Sequence, residues 1–145
     1  MHEVFGAAID TAKVTIRRRK WWWFQPRNVT MAPSGHLHFH PGGQSYSDDF
    51  SLAEPVGQAH FIHEMTHVWQ TQTRGWWYVP LLGAVQRKYS YTLKLGKKLT
   101  SYGIEQQAEI VAHAFMLRRG WKVAGAAAVA VSAAYDAILP IDQNS

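Results

Sequence analysis

Between residues 56 and 73 the chain carries no proline, and its one glycine, Gly57, stands at the start. Ala59, Ile62, Met65 (or Thr66) and Trp69 recur at steps of three and four, the period of a helix with one face in a core. Pro55 suits the first turn of that helix and Gly75 its stop. Residues 104–119 predict a second strong helix, ended by Arg118-Arg119-Gly120, which supplies favourable charge and a cap. A shorter helix is expected from Pro80, with residues 89–93 as its end or as an extended piece. A last helix is expected over residues 123–139, stopping at Pro140. That stretch is mostly alanine, with Gly125, Ser132 and Asp136 inside it. A membrane span needs ~20 strongly apolar residues, so it reads as a helix packed by small side chains.

The first third of the chain reads differently. Val14, Thr15 and Ile16 predict a strand within residues 12–24. Residues 28–39 predict a second, broken at Ala32-Pro33-Ser34-Gly35 and ended by Pro41-Gly42-Gly43. Residues 47–51 read as loop. Strands first and helices after make this an α+β chain, a single domain over residues 1–145.

Composition narrows the chemistry. A hydrophobic fraction of 47% and a charged fraction of 17% belong to a globular protein. Cysteine is absent, which excludes disulfides and thiolate metal sites and leaves His and carboxylate as ligands. It also suits work outside a reducing cytosol. Residues 1–5 lack the basic-then-apolar run of a signal peptide, so export is expected without a cleaved signal or within a larger chain.

The net charge of +5 includes one dense run, Arg17-Arg18-Arg19-Lys20, followed at once by Trp21-Trp22-Trp23-Phe24. Such a stretch can serve nucleic acid or anionic lipid. The preferred reading is a solvated strand end followed by aromatics that enter the core. Nothing else forms a nucleic-acid module, and nucleic acid is not expected as a partner.

His63-Glu64-Met65-Thr66-His67 has the H-E-x-x-H spacing. Histidines four apart lie one turn above each other, so both imidazoles can reach one metal ion. Glu64 sits where it can take a proton from water activated by that metal. The continuation H-x-x-G-x-x-H is missing, since Gln70 and Thr73 stand where glycine and histidine would be. The third ligand is then sought among later acids: Glu105, Glu109, Asp136 and Asp142, with His113 as the only later histidine. Glu105 and Glu109 share a helical face. In the preferred reading Glu105 binds the metal and Glu109 accepts the outer N–H of a ligand histidine. In the alternative, Glu109 is the ligand and His113 its partner. Ala108, small and beside the pair, would let this helix approach the motif helix closely.

Other residues carry weaker signals. His36, His38 and His40 alternate on an expected strand and could hold a second metal, although half-exposed positions on an antiparallel strand are the preferred reading. His60, one turn before His63, could touch the site from behind. An oxyanion donor is needed, and Tyr89, Tyr91, Tyr102, Arg87 and His113 qualify by type; Tyr102 and His113 are carried forward as oxyanion or substrate contacts.

Residues 61–70 and 102–111 together resemble a bacterial family of small zinc metallopeptidase domains found at the C-termini of type VI secretion VgrG spike proteins and Rhs proteins, where they act as toxin modules. Weaker likeness at Ile9-Asp10, before Arg17 and at residues 31–35 extends it over most of residues 5–117. The resemblance implies a gluzincin-like site with Zn2+ ligands His63, His67 and Glu105 and with Glu64 as catalytic base. The chain departs from the family at His113, where an acid is usual, and at Gly35-His36, where Gly-Glu is usual.

The resulting expectation is a compact zincin-like metallopeptidase domain, with a small N-terminal sheet, an active-site helix and further helices. Residues 31–39 would border the cleft and pair with extended substrate. The domain would hydrolyse peptide bonds as an antibacterial type VI secretion effector, delivered without a signal peptide to the periplasm of a target bacterium. Expected partners are a peptide or peptidoglycan substrate, a secretion spike or parent chain, and a cognate immunity protein. The rivals are a zinc amidase acting on peptidoglycan stem peptides, and a basic-aromatic binding module for nucleic acid or membrane surface with a structural zinc.

Overall fold

The computed structural model describes residues 1–94, 96–124 and 129–139. The expected helical residues 125–128, its stop at Pro140 and the acid Asp142 lie outside them. The elements are α1 (His2–Phe5), β1 (Ile16–Arg17), β2 (Leu37–His38), α2 (Pro55–Arg74), α3 (Tyr78–Val85), α4 (Ile104–Arg118) and α5 (Val129–Asp136), with single 3-10 turns at Thr11–Lys13, Phe50–Leu52 and Leu99–Ser101.

Helix α2 is the axis of the molecule. Every residue from Ile62 to Thr71 is buried, so the apolar stripe seen in sequence is only part of its covered surface. The polar residues on the rest find partners within reach. Thr66 and Thr71 donate their hydroxyls to the carbonyls of Ile62 and His67, one turn back, at 2.9 Å each. Pro55 opens the helix. Gly75 ends it at φ 99°, where a Cβ would come within 3.0 Å of the Trp77 indole nitrogen.

Helix α4 packs along α2, and its residues Ala108, Val111, Ala112 and Ala114 are all buried. Small residues allow a close approach of the two backbones. Its C-terminus closes as a Schellman motif: the Trp121 N–H reaches Met116 O and the Gly120 N–H reaches Leu117 O, with Gly120 at φ 71°. The Trp121 ring then meets Phe115 edge-on at 5.7 Å. The N-terminal segment is tied back by reciprocal bonds between the Asp10 backbone and the Gln72 side chain, at 2.8 and 3.0 Å, while Val4 and Phe5 enter the core.

The extended part is much smaller than the sequence suggests. β1 and β2 hold two residues each and pair in parallel, Ile16 with Leu37 and Arg17 with His38. Residues 28–39 fold back on themselves at Pro33–Gly35, so Met31 bridges His38 antiparallel. Leu37 and Phe39 donate to Thr15 and Arg17 on one side, and His38 exchanges bonds with Met31 on the other. Both edges of residues 37–39 are therefore taken, so substrate cannot add to that part of the expected strand, while residues 28–30 line the cleft. Residues 89–93 are neither helix nor strand.

Two further expectations fail here. Trp21, Trp22, Trp23 and Phe24 do not enter the core; they stay exposed beside the basic run. His36, His38 and His40 are not three half-exposed positions on one antiparallel strand. His36 meets the Thr15 hydroxyl at 2.7 Å, His40 accepts the Gly42 N–H, and His38 is buried under Trp21 with neither ring nitrogen partnered. Among the described residues these three do not gather into a metal-binding group.

Candidate metal centre

Helix geometry puts His63 and His67 one turn apart on the face of α2 that meets α4, their rings 5.0 Å apart. Opposite them, Glu105 stands in the first turn of α4. Its Oε2 lies 3.3 Å from His63 Nε2 and 3.3 Å from His67 Nε2. Among the described residues, these three form the one group of His and acidic side chains whose donor atoms converge closely enough for a metal ion.

The outer nitrogens are occupied too. His63 Nδ1 lies 3.3 Å from Glu109 Oε1, and the other oxygen of Glu109 lies 3.3 Å from His113 Nε2. His113 Nδ1 in turn meets the Tyr91 hydroxyl, which also contacts the Tyr135 hydroxyl. His67 Nδ1 is 2.8 Å from Gln70 Oε1. With a carboxylate on one outer nitrogen and an amide oxygen on the other, each imidazole keeps a proton on Nδ1 and turns its Nε2 towards Glu105. On His63 the two carboxylates favour a second proton at Nε2 when no cation is bound.

Electrostatics follow from this crowding. Burial opposes the charge on His63, but Glu105 and Glu109 outweigh it and raise its pKa to about 10. Burial likewise opposes ionisation of Glu105, but His63 and His67 outweigh it and lower its pKa to about 2. Glu109 is lowered chiefly by its bond to His63. The cluster thus favours a positive charge among its carboxylates, held by a proton on His63 in the absence of a cation.

The site opens on a cleft of about 370 Å³, lined by residues 28–30, Val56, His60, Glu64, Tyr89 and His113 among others. Glu64 is 7% exposed and lies outside the converging trio, 3.9 Å from His60 Nε2. His60 bonds the Thr30 hydroxyl at 2.8 Å, and burial lowers its pKa. Tyr89 stacks on His63 with centroids 6.2 Å apart, and burial raises its pKa.

Tyr102, singled out for its nearness in sequence, lies elsewhere: its hydroxyl accepts the Lys94 N–H at 2.9 Å and reaches Thr92 O. Its backbone carbonyl matters instead, because it accepts from Gln107 behind the site. Gln70, Gln107 and Tyr91 were not singled out for these contacts. Gln70 lies three residues after His67, a spacing that places it beside that ring, and this was the available signal.

No protein-family profile matches the chain. The type VI secretion system spike protein VgrG2b of Pseudomonas aeruginosa is 40% identical over 121 residues, covering 78% of this chain and 12% of that protein. The chain therefore spans only a small part of the spike protein's length. The solved effector domain of Pseudomonas aeruginosa VgrG2b aligns with a TM-score of 0.76 and 34% identity, covering 94% of this chain and 74% of that one. The chain belongs to the family of the VgrG2b effector domain, the effector kind associated with a type VI secretion spike.

Proposed function

We propose that the domain is a zinc-dependent peptide-bond hydrolase with a zincin-like active site, acting as an antibacterial type VI secretion effector. One observation carries this reading: two imidazole Nε2 atoms and one carboxylate oxygen converge, each nitrogen 3.3 Å from the oxygen. A tetrahedral zinc with ligands at ~2.0–2.1 Å separates neighbouring ligand atoms by about 3.3–3.4 Å. The donor set also fits, since imidazole and carboxylate are ordinary zinc ligands.

Zinc, when bound, supplies Lewis acidity towards a carbonyl and towards water. His63, His67 and Glu105 would hold it, and Glu109 and Gln70 would orient the two imidazoles. Glu64 accepts the proton of the attacking water and delivers it to the leaving amine. Tyr89 and His113 line the same cleft, which supports reading them as substrate contacts. Three protein ligands among the described residues, beside an open cleft, are the arrangement of a catalytic zinc; a structural zinc is closed by four. That contrast favours hydrolysis over the binding-module reading.

The substrate is a protein segment or a peptidoglycan stem peptide in the periplasm of a rival cell, and an immunity protein would protect the producer. The deciding experiment is zinc content by mass spectrometry for the wild type, Glu105→Ala and Glu109→Ala. One zinc per chain, lost with Glu105→Ala and largely kept with Glu109→Ala, is expected. A wild type that takes up no zinc after reconstitution would remove the proposal. Digesting casein and purified cell wall side by side then separates protease from amidase.

A further inference from the structure

Residues 17–24 lie outside the metal centre, and although the Trp21 ring covers His38, all four aromatic rings stay largely in water. Trp21, Trp22, Trp23 and Phe24 are 43%, 51%, 83% and 60% exposed. Tryptophan and phenylalanine normally go inward, and a run of four left in water marks a contact surface. Arg17, Arg18, Arg19 and Lys20, immediately before them, are all exposed as well.

The exposure is built into the loop. Gln25, 4% exposed, accepts the Trp21 N–H at 2.8 Å and donates to Val29 O at 2.7 Å and His38 O at 3.0 Å. Lys20 Nζ donates to Trp23 O. Phe24 packs against Trp22 and Trp23 with centroids 5.6 and 5.1 Å away. A glutamine inside the fold thus holds an aromatic cluster outside it.

We propose that residues 17–24 dock the domain on an anionic phospholipid bilayer. Tryptophan and phenylalanine favour the headgroup–acyl boundary, and adjacent cations add attraction to anionic headgroups. The Phe24 ring meets Trp23 edge-on at 84° and Trp22 at 46°. These rings wedge together in place of the parallel open faces on which successive bases stack. Through Gln25 the loop is tied to Val29, which lines the cleft, so docking would hold the cleft at the bilayer surface. The inference stands apart from the zinc reading, because binding can be measured without turnover.

The test is flotation of the zinc-supplemented chain with phosphatidylglycerol/phosphatidylethanolamine vesicles and, separately, phosphatidylcholine vesicles, at low and at physiological salt. Binding to the anionic vesicles at least tenfold tighter than to the neutral ones is expected, weakening with salt. A Trp22→Ala/Trp23→Ala/Phe24→Ala variant should lose binding with unchanged circular dichroism. Arg17→Gln with Arg19→Gln should weaken it severalfold and flatten the salt dependence. Undiminished binding by the aromatic variant, or equal binding to both vesicle types, would overturn the proposal. So would tighter binding to single-stranded DNA than to the anionic vesicles, or a dimer in solution that this variant abolishes.

Discussion

Gln70 Oε1 lies 2.8 Å from His67 Nδ1. The amide can be oriented without ambiguity. Its nitrogen donates to the Ile104 carbonyl and to Gln107 Oε1, and the Gln107 nitrogen donates to the Tyr102 carbonyl. Backbone carbonyls only accept, so both amides are locked and Gln70 Oε1 must accept from His67. Three side chains on two helices thereby aim one lone pair at Glu105.

Gln70→Ala should therefore weaken zinc binding by ~10–100-fold, the usual cost of losing such an orienting partner. It also leaves buried polar groups of Gln107 and Ile104 unpaired, at about 1–3 kcal/mol. Competition with a chromophoric chelator reads the first effect and thermal unfolding the second. Unchanged zinc affinity would show that His67 does not need this bond.

Glu64→Gln keeps the shape of the side chain and removes its basicity. The expected result is full zinc content with turnover lowered by at least ~10²–10⁴-fold. A fully active variant would remove the proposed base.

Ala108 is fully buried and lies between Glu105 and Glu109, the two acids that meet the histidines of α2. Ala108→Leu should cost about 1–3 kcal/mol by overpacking. By separating α4 from α2 it should also move Glu105 away from both histidines, so zinc affinity falls with stability. Chemical denaturation and chelator competition on one sample would test the pairing of the two losses.

The metal-free domain should have a stability optimum in mildly acidic solution. The raised His63 pKa, about 10 against an ordinary 6.5, contributes stability that is full below about pH 6.5 and lost as pH rises towards 10. The lowered Glu105 pKa, about 2 against 4.5, contributes stability present above about pH 4.5 and lost as pH falls towards 2. Both are present between about pH 4.5 and 6.5. Zinc requires deprotonated ligands, so its stabilisation should grow from about pH 6 to about pH 9. Melting curves with zinc and with chelator would check this; a zinc effect that shrinks over that range would contradict it.

Helices α2 and α4 were legible because their signals are local, whereas the last helix, expected over residues 123–139, is helical only at Val129–Asp136 among the described residues. Pro55, the apolar repeat from Ala59 and the stop at Gly75 mark α2 to within a residue or two, and Gly120 marks the close of α4. The strands were misjudged for an equally physical reason. β-branched residues at 14–16 favour extended backbone, but pairing depends on distant partners, and the turn at Pro33–Gly35 folds the second stretch onto itself. The fate of the tryptophans was invisible as well, because it hangs on Gln25 reaching Val29 and His38.

By itself the sequence determined that His63, Glu64 and His67 share one helix, that Glu105 and Glu109 share another, and that no thiolate can take part. These follow from helical period and composition, which no packing can alter. Only the tertiary structure decided which carboxylate meets both Nε2 atoms, that Glu109 reaches His63 and His113 instead, and that Gln70 stands behind His67. Those outcomes depend on how α4 slides and rotates along α2. Small side chains such as Ala108 permit the approach, and the locked Gln70–Gln107 pair holds it in place.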